Sequence, residues 1–93
     1  MKRKDWTHEE QHAICKAYVD MLEKQESGDK FNKSAVRREL LAGPLAARSN
    51  GAVEAKFMNV SAAAQDLGMP IVKGYKPAPN YQASLRLHLQ ELY

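Results

Sequence analysis

Ser49-Asn50-Gly51-Ala52-Val53-Glu54-Ala55-Lys56-Phe57-Met58-Asn59-Val60-Ser61-Ala62-Ala63-Ala64-Gln65-Asp66-Leu67-Gly68 carries Val53, Phe57, Val60, Ala64 and Leu67 at spacings of three and four residues. That recurrence puts their side chains on one stripe of an α-helix. Ser49 or Asn50 supplies the N-cap, and Gly68 followed by Pro70 ends the helix.

The flanking segments repeat the same period. Towards the N-terminus, Thr7-His8-Glu9-Glu10 fits a capping box, in which the Thr7 hydroxyl takes the Glu10 amide while the Glu10 carboxylate reaches back. Ile14, Tyr18, Met21 and Leu22 continue one apolar face until Ser27-Gly28-Asp29, which predicts a helix over about 8–25. Asn32 caps a shorter helix, about 33–42, with Val36, Leu40 and Leu41 inside and Gly43-Pro44 at its end. Beyond Gly68, the stretch 71–79 holds Gly74, Pro77 and Pro79 and is expected as a surface connection. Asn80 then caps a last amphipathic helix over 81–93, with Tyr81, Leu85, Leu89 and Leu92 on one side and Leu87 off that stripe.

Nothing alternates with period two for long enough to argue for a sheet, so the expected fold is all-α, a bundle of about four helices. Ninety-three residues suit one domain, with a helical core over about 6–68, a loop over 69–80 and the C-terminal helix. An apolar fraction of 44% and a charged fraction of 27% are ordinary for a folded protein. No run approaches the length of a membrane span, and Met1-Lys2-Arg3-Lys4-Asp5 leads into charged residues instead of a signal-peptide core; a cytoplasmic protein without membrane partners is expected. Cys15 lacks a second cysteine for a disulfide or a cysteine-based zinc site, and its place in the helical pattern reads as buried filler.

The net charge of +3 is unevenly spread. Residues 1–32 hold six Lys/Arg against seven Asp/Glu, and residues 33–93 hold eight against four. This bias favours a polyanionic partner.

Catalytic constellations are scarce. The sequence has no Gly-rich phosphate loop, no Gly-x-Ser-x-Gly elbow and no obvious carboxylate pair. His8-Glu9-Glu10-Gln11-His12 matches the His-Glu-x-x-His pattern of zinc proteases literally, but it opens a helix, its Glu10 is claimed by the cap, and His88 is the sole remaining histidine. The preferred reading is a solvated helix face, so no catalytic residue, no metal ligand and no cofactor is expected.

Two further motifs stand in order along the chain. Trp6-Thr7-x-Glu9-Glu10 precedes the first helix, and Arg48-Ser49-x-Gly51-Ala52-Val53-x-Ala55-Lys56-x-x-Asn59 spans the start of the third. This pairing resembles Myb/SANT-like helix-turn-helix domains. With Asn32-Lys33, Glu54-Ala55-Lys56-Phe57-Met58-Asn59-Val60-Ser61 and Gly74-Tyr75-Lys76-Pro77, nearly the whole chain also looks like the helical N-terminal domain of bacterial HNH-type restriction endonucleases and related proteins. The nuclease part is absent from the sequence. The resemblance implies a Myb-like three-helix core, a recognition role without cutting, and a restriction-modification or phage-defence setting.

On that reading the third helix is the recognition helix, with Lys56 and Asn59, three apart, facing outward into a DNA groove beside Asn50. Arg37, Arg38, Arg48, Lys73 and Lys76 would grip phosphate. Each has a structural alternative: Arg48 caps or pairs with Glu54, Lys56 covers apolar surface, and Asn59 bonds a neighbouring turn. Tyr75, in its Gly/Pro loop, either stacks on a base or packs over the bundle. The leading expectation is a non-catalytic module for nucleic acid, double-stranded DNA above all. The alternative is a protein-interaction adaptor or small inhibitor using the last helix and the Tyr75 loop, whose leucine stripe would also suit a homodimer.

Overall fold

The computed structural model describes residues 5–93, and the Met1–Lys4 stretch, on which part of the signal-peptide argument rests, lies outside the described residues. Four helices follow in order: α1 (His8–Ser27), α2 (Lys33–Leu41), α3 (Asn50–Asp66) and α4 (Ser84–Leu92). No strand occurs among the described residues, and the architecture is all-α. None of the described helices is long and apolar enough to cross a membrane.

Local chemistry sets the first three helices. The Thr7 hydroxyl accepts the Glu10 amide at 3.1 Å and the Glu10 carboxylate accepts the Thr7 amide at 2.9 Å, so the capping box forms in full. At the other end Gly28 takes a left-handed φ of 81°, closing α1 with bonds back to Gln25 and Lys24. Asn32 caps α2 through Ala35, and Ser49, not Asn50, caps α3 through Ala52.

α3 is the central helix. Val53, Phe57 and Val60 are fully buried, and Ser61, Ala62, Ala63 and Ala64 are buried in succession. Consecutive buried positions sweep a full turn, so α3 is covered on every side over Val60–Ala64, before Gln65 and Asp66 return to the surface. Small side chains there let α1, α4 and the 71–79 segment approach closely. A polar knot ties these layers: the Tyr18 hydroxyl accepts the Val72 amide at 2.9 Å and shares a hydrogen bond with Ser61 Oγ at 2.7 Å.

The C-terminal helix departs from expectation. It begins at Ser84, with Ala83 at the N-cap and no side-chain cap, while Asn80 sits at φ 68° and caps nothing. The reason lies upstream: the Ala78 amide bonds the Met58 carbonyl, Asn59 donates to the Ala78 carbonyl, and the Tyr81 hydroxyl bonds the Asp66 carboxylate. These ties to α3 hold the chain extended until it clears that helix. Leu85 and Leu89 are then fully buried among the bundle's own side chains, so the stripe read as suiting a homodimer is consumed within the chain.

Candidate nucleic-acid interface

The sequence motifs place their side chains on two different tasks, one structural and one at the surface. Asn59, expected in the groove, donates from Nδ2 to the Ala78 carbonyl at 2.8 Å and is half-buried beneath the 76–80 segment. A side chain so covered does not reach a base edge. Lys56 is also half-buried, its ammonium 5.0 Å from the Trp6 ring centroid. Desolvation, followed by the Arg48 charge, holds the Lys56 ammonium below its ordinary range. The uncovered strip along the first turns of α3 shows Asn50, Gly51, Glu54 and Ala55, where Glu54 carries the wrong sign for phosphate.

Arg48, expected on phosphate, turns inward instead. Its guanidinium meets the Glu10 carboxylate through Nε at 3.0 Å and Nη2 at 2.7 Å, reaches the Asp5 carbonyl at 2.9 Å, and lies 4.8 Å from the Trp6 ring centroid. The residues that carry the resemblance, Trp6, Glu10, Arg48 and Lys56, therefore form one packed cluster at the N-terminus of α1. Glu10, not the expected Glu54, is the partner of Arg48.

Tyr75 is not a surface platform. Its ring stacks on Phe57 at a centroid distance of 4.8 Å and it is buried, with 4% of its surface exposed. The physical cause is the turn: Gln25 accepts the Lys73 amide and donates to the Ile71 carbonyl, clamping the 71–73 backbone to the end of α1, and Val72 fills the core. Gly74 then reverses the chain at φ 95°, sending Tyr75 back onto Phe57.

Two cations, Arg37 and Lys33, meet Tyr75. Arg37 Nη1 lies 3.5 Å from the Tyr75 hydroxyl, its Nε donates to Asn50 Oδ1 at 3.1 Å, and Glu54 sits 3.5 Å away. Lys33 places its ammonium 5.2 Å from the Tyr75 ring centroid. Arg38 is exposed on α2, and Lys73 and Lys76 are exposed on either side of the buried Tyr75. Sequence reasoning does not single out Lys33, because its role depends on the Gly74 turn folding over α2, a contact between distant parts of the chain that periodicity does not reveal.

This surface, on α2 and the 73–76 turn, carries the exposed Arg38, Lys73 and Lys76 and the half-buried Lys33, with the exposed Glu39 and Glu54 among them and Tyr75 buried beneath. It offers long, mobile ammonium and guanidinium groups and is suited to bind diffuse negative charge. Cys15, by contrast, is fully buried, and desolvation pushes its thiol up to about 12, so it is inert filler at neutral pH. Compared with family models, curated proteins and solved structures, the chain matches none of them.

Proposed function

We propose that the protein is a non-catalytic nucleic-acid-binding module that takes the phosphate backbone of duplex DNA on the basic end formed by α2 and the 73–76 turn. The observation that carries this reading is that Lys33 lies over the ring of the buried Tyr75, which the exposed Lys73 and Lys76 flank in the chain, while Arg38 is exposed on the same helix as Lys33. The charge excess of the second part of the chain and the resemblance to restriction-associated helical domains favour the same partner, in a cytoplasmic restriction or phage-defence setting. With Asn59 and Arg48 engaged inside the fold, phosphate contact replaces groove reading by α3, so binding tolerates many sequences.

Fluorescence anisotropy of a labelled mixed-sequence duplex tests this. Binding should weaken as salt rises, and Arg38→Ala with Lys73→Ala and Lys76→Ala should lower the salt slope by roughly 0.9 for each phosphate no longer neutralised. Salt-insensitive binding, or full binding by the triple variant, would sink the reading.

A second reading has its own support. Leu87, 62% exposed on α4, lines a groove of about 450 Å³ together with Leu67, Ala83, Ser84, Arg86 and Gln90. A protein partner inserting an apolar side chain there would be insensitive to salt and lost in Leu87→Glu.

A further inference from the structure

The three histidines, separated by up to eighty residues, come together where α4 packs on α1. His8 Nδ1 lies 3.2 Å from His88 Nε2, and the His12 and His88 ring centroids are 5.9 Å apart. Glu91, one turn along α4 from His88, joins them: one ligating atom each from His12, His88 and Glu91 lie within 4.8 Å of one another. From these positions we infer that His12, His88 and Glu91 hold one divalent transition-metal ion of the zinc class, clasping α4 to α1.

The donor set fits that chemistry. Two imidazole nitrogens and a carboxylate oxygen are a familiar borderline-soft set for zinc, with water completing a tetrahedron. Nitrogens bound at 2.0–2.1 Å on a tetrahedral ion lie about 3.3 Å apart, so a separation of up to 4.8 Å must close somewhat. His12 and Glu91 are both exposed, and rotation about their side-chain bonds supplies that movement without shifting either helix. The backbone is already fixed by Leu85 and Leu89, fully buried three residues before and directly after His88.

His88 is the decisive member. Its Nδ1 is buried and has no hydrogen-bond partner among the described residues. In the tautomer in which His88 donates from Nε2 to His8 Nδ1, the buried His88 Nδ1 carries an unused lone pair, and His8 orients the ring from behind as outer partners of metal-bound histidines do.

The His8-Glu9-Glu10-Gln11-His12 pattern thus contributes one ligand, His12, and one orienting residue, His8, while the remaining ligands come from α4. This inference is independent of the nucleic-acid reading, since the cluster shares no residue with the basic end.

The test is titration calorimetry of the untagged, EDTA-stripped protein with zinc sulfate, with magnesium sulfate as control and thermal melting by circular dichroism alongside. The expected result is one zinc per chain, a melting temperature raised by zinc and not by magnesium, and at least tenfold weaker binding in His12→Ala and in His88→Ala. His8→Ala should weaken binding by about tenfold or more without changing stoichiometry. His12 is exposed, so His12→Ala keeps its fold even if His88→Ala does not. Absence of saturable zinc binding would overturn the inference. So would undiminished binding by His12→Ala, or by a folded His88→Ala, the latter placing the ion on the His8 and His12 pair of α1 alone.

Discussion

The Arg48 guanidinium forks onto the Glu10 carboxylate, Nε to Oε2 at 3.0 Å and Nη2 to Oε1 at 2.7 Å, and so joins the turn before α3 to the first turn of α1. Both side chains are largely covered, at 17% and 13% exposure, which lifts this pair above an ordinary surface ion pair. Glu10 serves two structures at once, since the same carboxylate also closes the capping box on Thr7.

Removing the cation leaves that largely covered carboxylate with only the Thr7 amide as partner. Arg48→Ala should cost roughly 2 kcal/mol in urea unfolding, the scale of charge-assisted hydrogen bonds left unmade. Arg48→Lys should recover little, because a single ammonium does not reproduce the two-pronged contact. Duplex affinity of the folded fraction should stay unchanged, which separates this residue from the basic end.

Stability should fall with acid in two windows. The hydrogen bonds from Arg48 hold the Glu10 carboxyl below its usual 4.5 in the folded state, outweighing the opposing desolvation. The unfolded chain then binds more protons, so the contribution is present above about pH 4.5 and lost as pH falls through the lower folded value. His88, depressed from 6.5 mainly by burial, is likewise protonated more readily when unfolded, and its contribution begins to fade as pH drops below 6.5. Melting temperature against pH should show both losses in the metal-free protein. Glu10→Gln should flatten the lower one and His88→Gln the upper one.

Tyr18→Phe removes one hydroxyl from the core and leaves two groups without partners, the Val72 amide and Ser61 Oγ. Both are buried, so unfolding should become easier by roughly 1–3 kcal/mol despite a ring of the same shape. Pairing it with Ser61→Ala should recover part of the loss, since the second orphan is then gone. Equal stability of wild type and Tyr18→Phe would mean that water replaces the hydroxyl.

The helices were legible because their signals are local. Thr7 with Glu10, Asn32, Ser49 and Gly28 each act within four residues, and the apolar stripes repeat at the helical period. The start of α4 was not, because Asn80 looks like a cap until the ties of Ala78 and Tyr81 to α3 are seen. For the candidate contact residues, which way each side chain faces was not legible. Arg48 and Asn59 belong to the motif and turn inward to Glu10 and Ala78, while Lys33, not among the expected contacts, lies over Tyr75. The histidines show the same limit: His8 and His12 read as a solvated face until α4 brings His88 beside them.

Gly74 links the fold to the proposed interface. Its φ of 95° lies where an L side chain is strained, and a Cβ there would collide with Lys33 Nζ. The ammonium is the far end of a flexible chain and can move away, whereas the backbone strain remains. Gly74→Ala should therefore destabilise by roughly 1–2 kcal/mol and displace Lys33 from the Tyr75 ring. Duplex binding should weaken in the folded variant as Lys33, Lys73 and Lys76 lose their common setting. Lys33→Ala on the unaltered turn provides the comparison: it relieves no strain and removes only the charge, so it should weaken binding with little change in the unfolding midpoint. If Gly74→Ala lowers the midpoint but leaves duplex affinity intact, the turn serves the core alone and the basic end owes nothing to its shape.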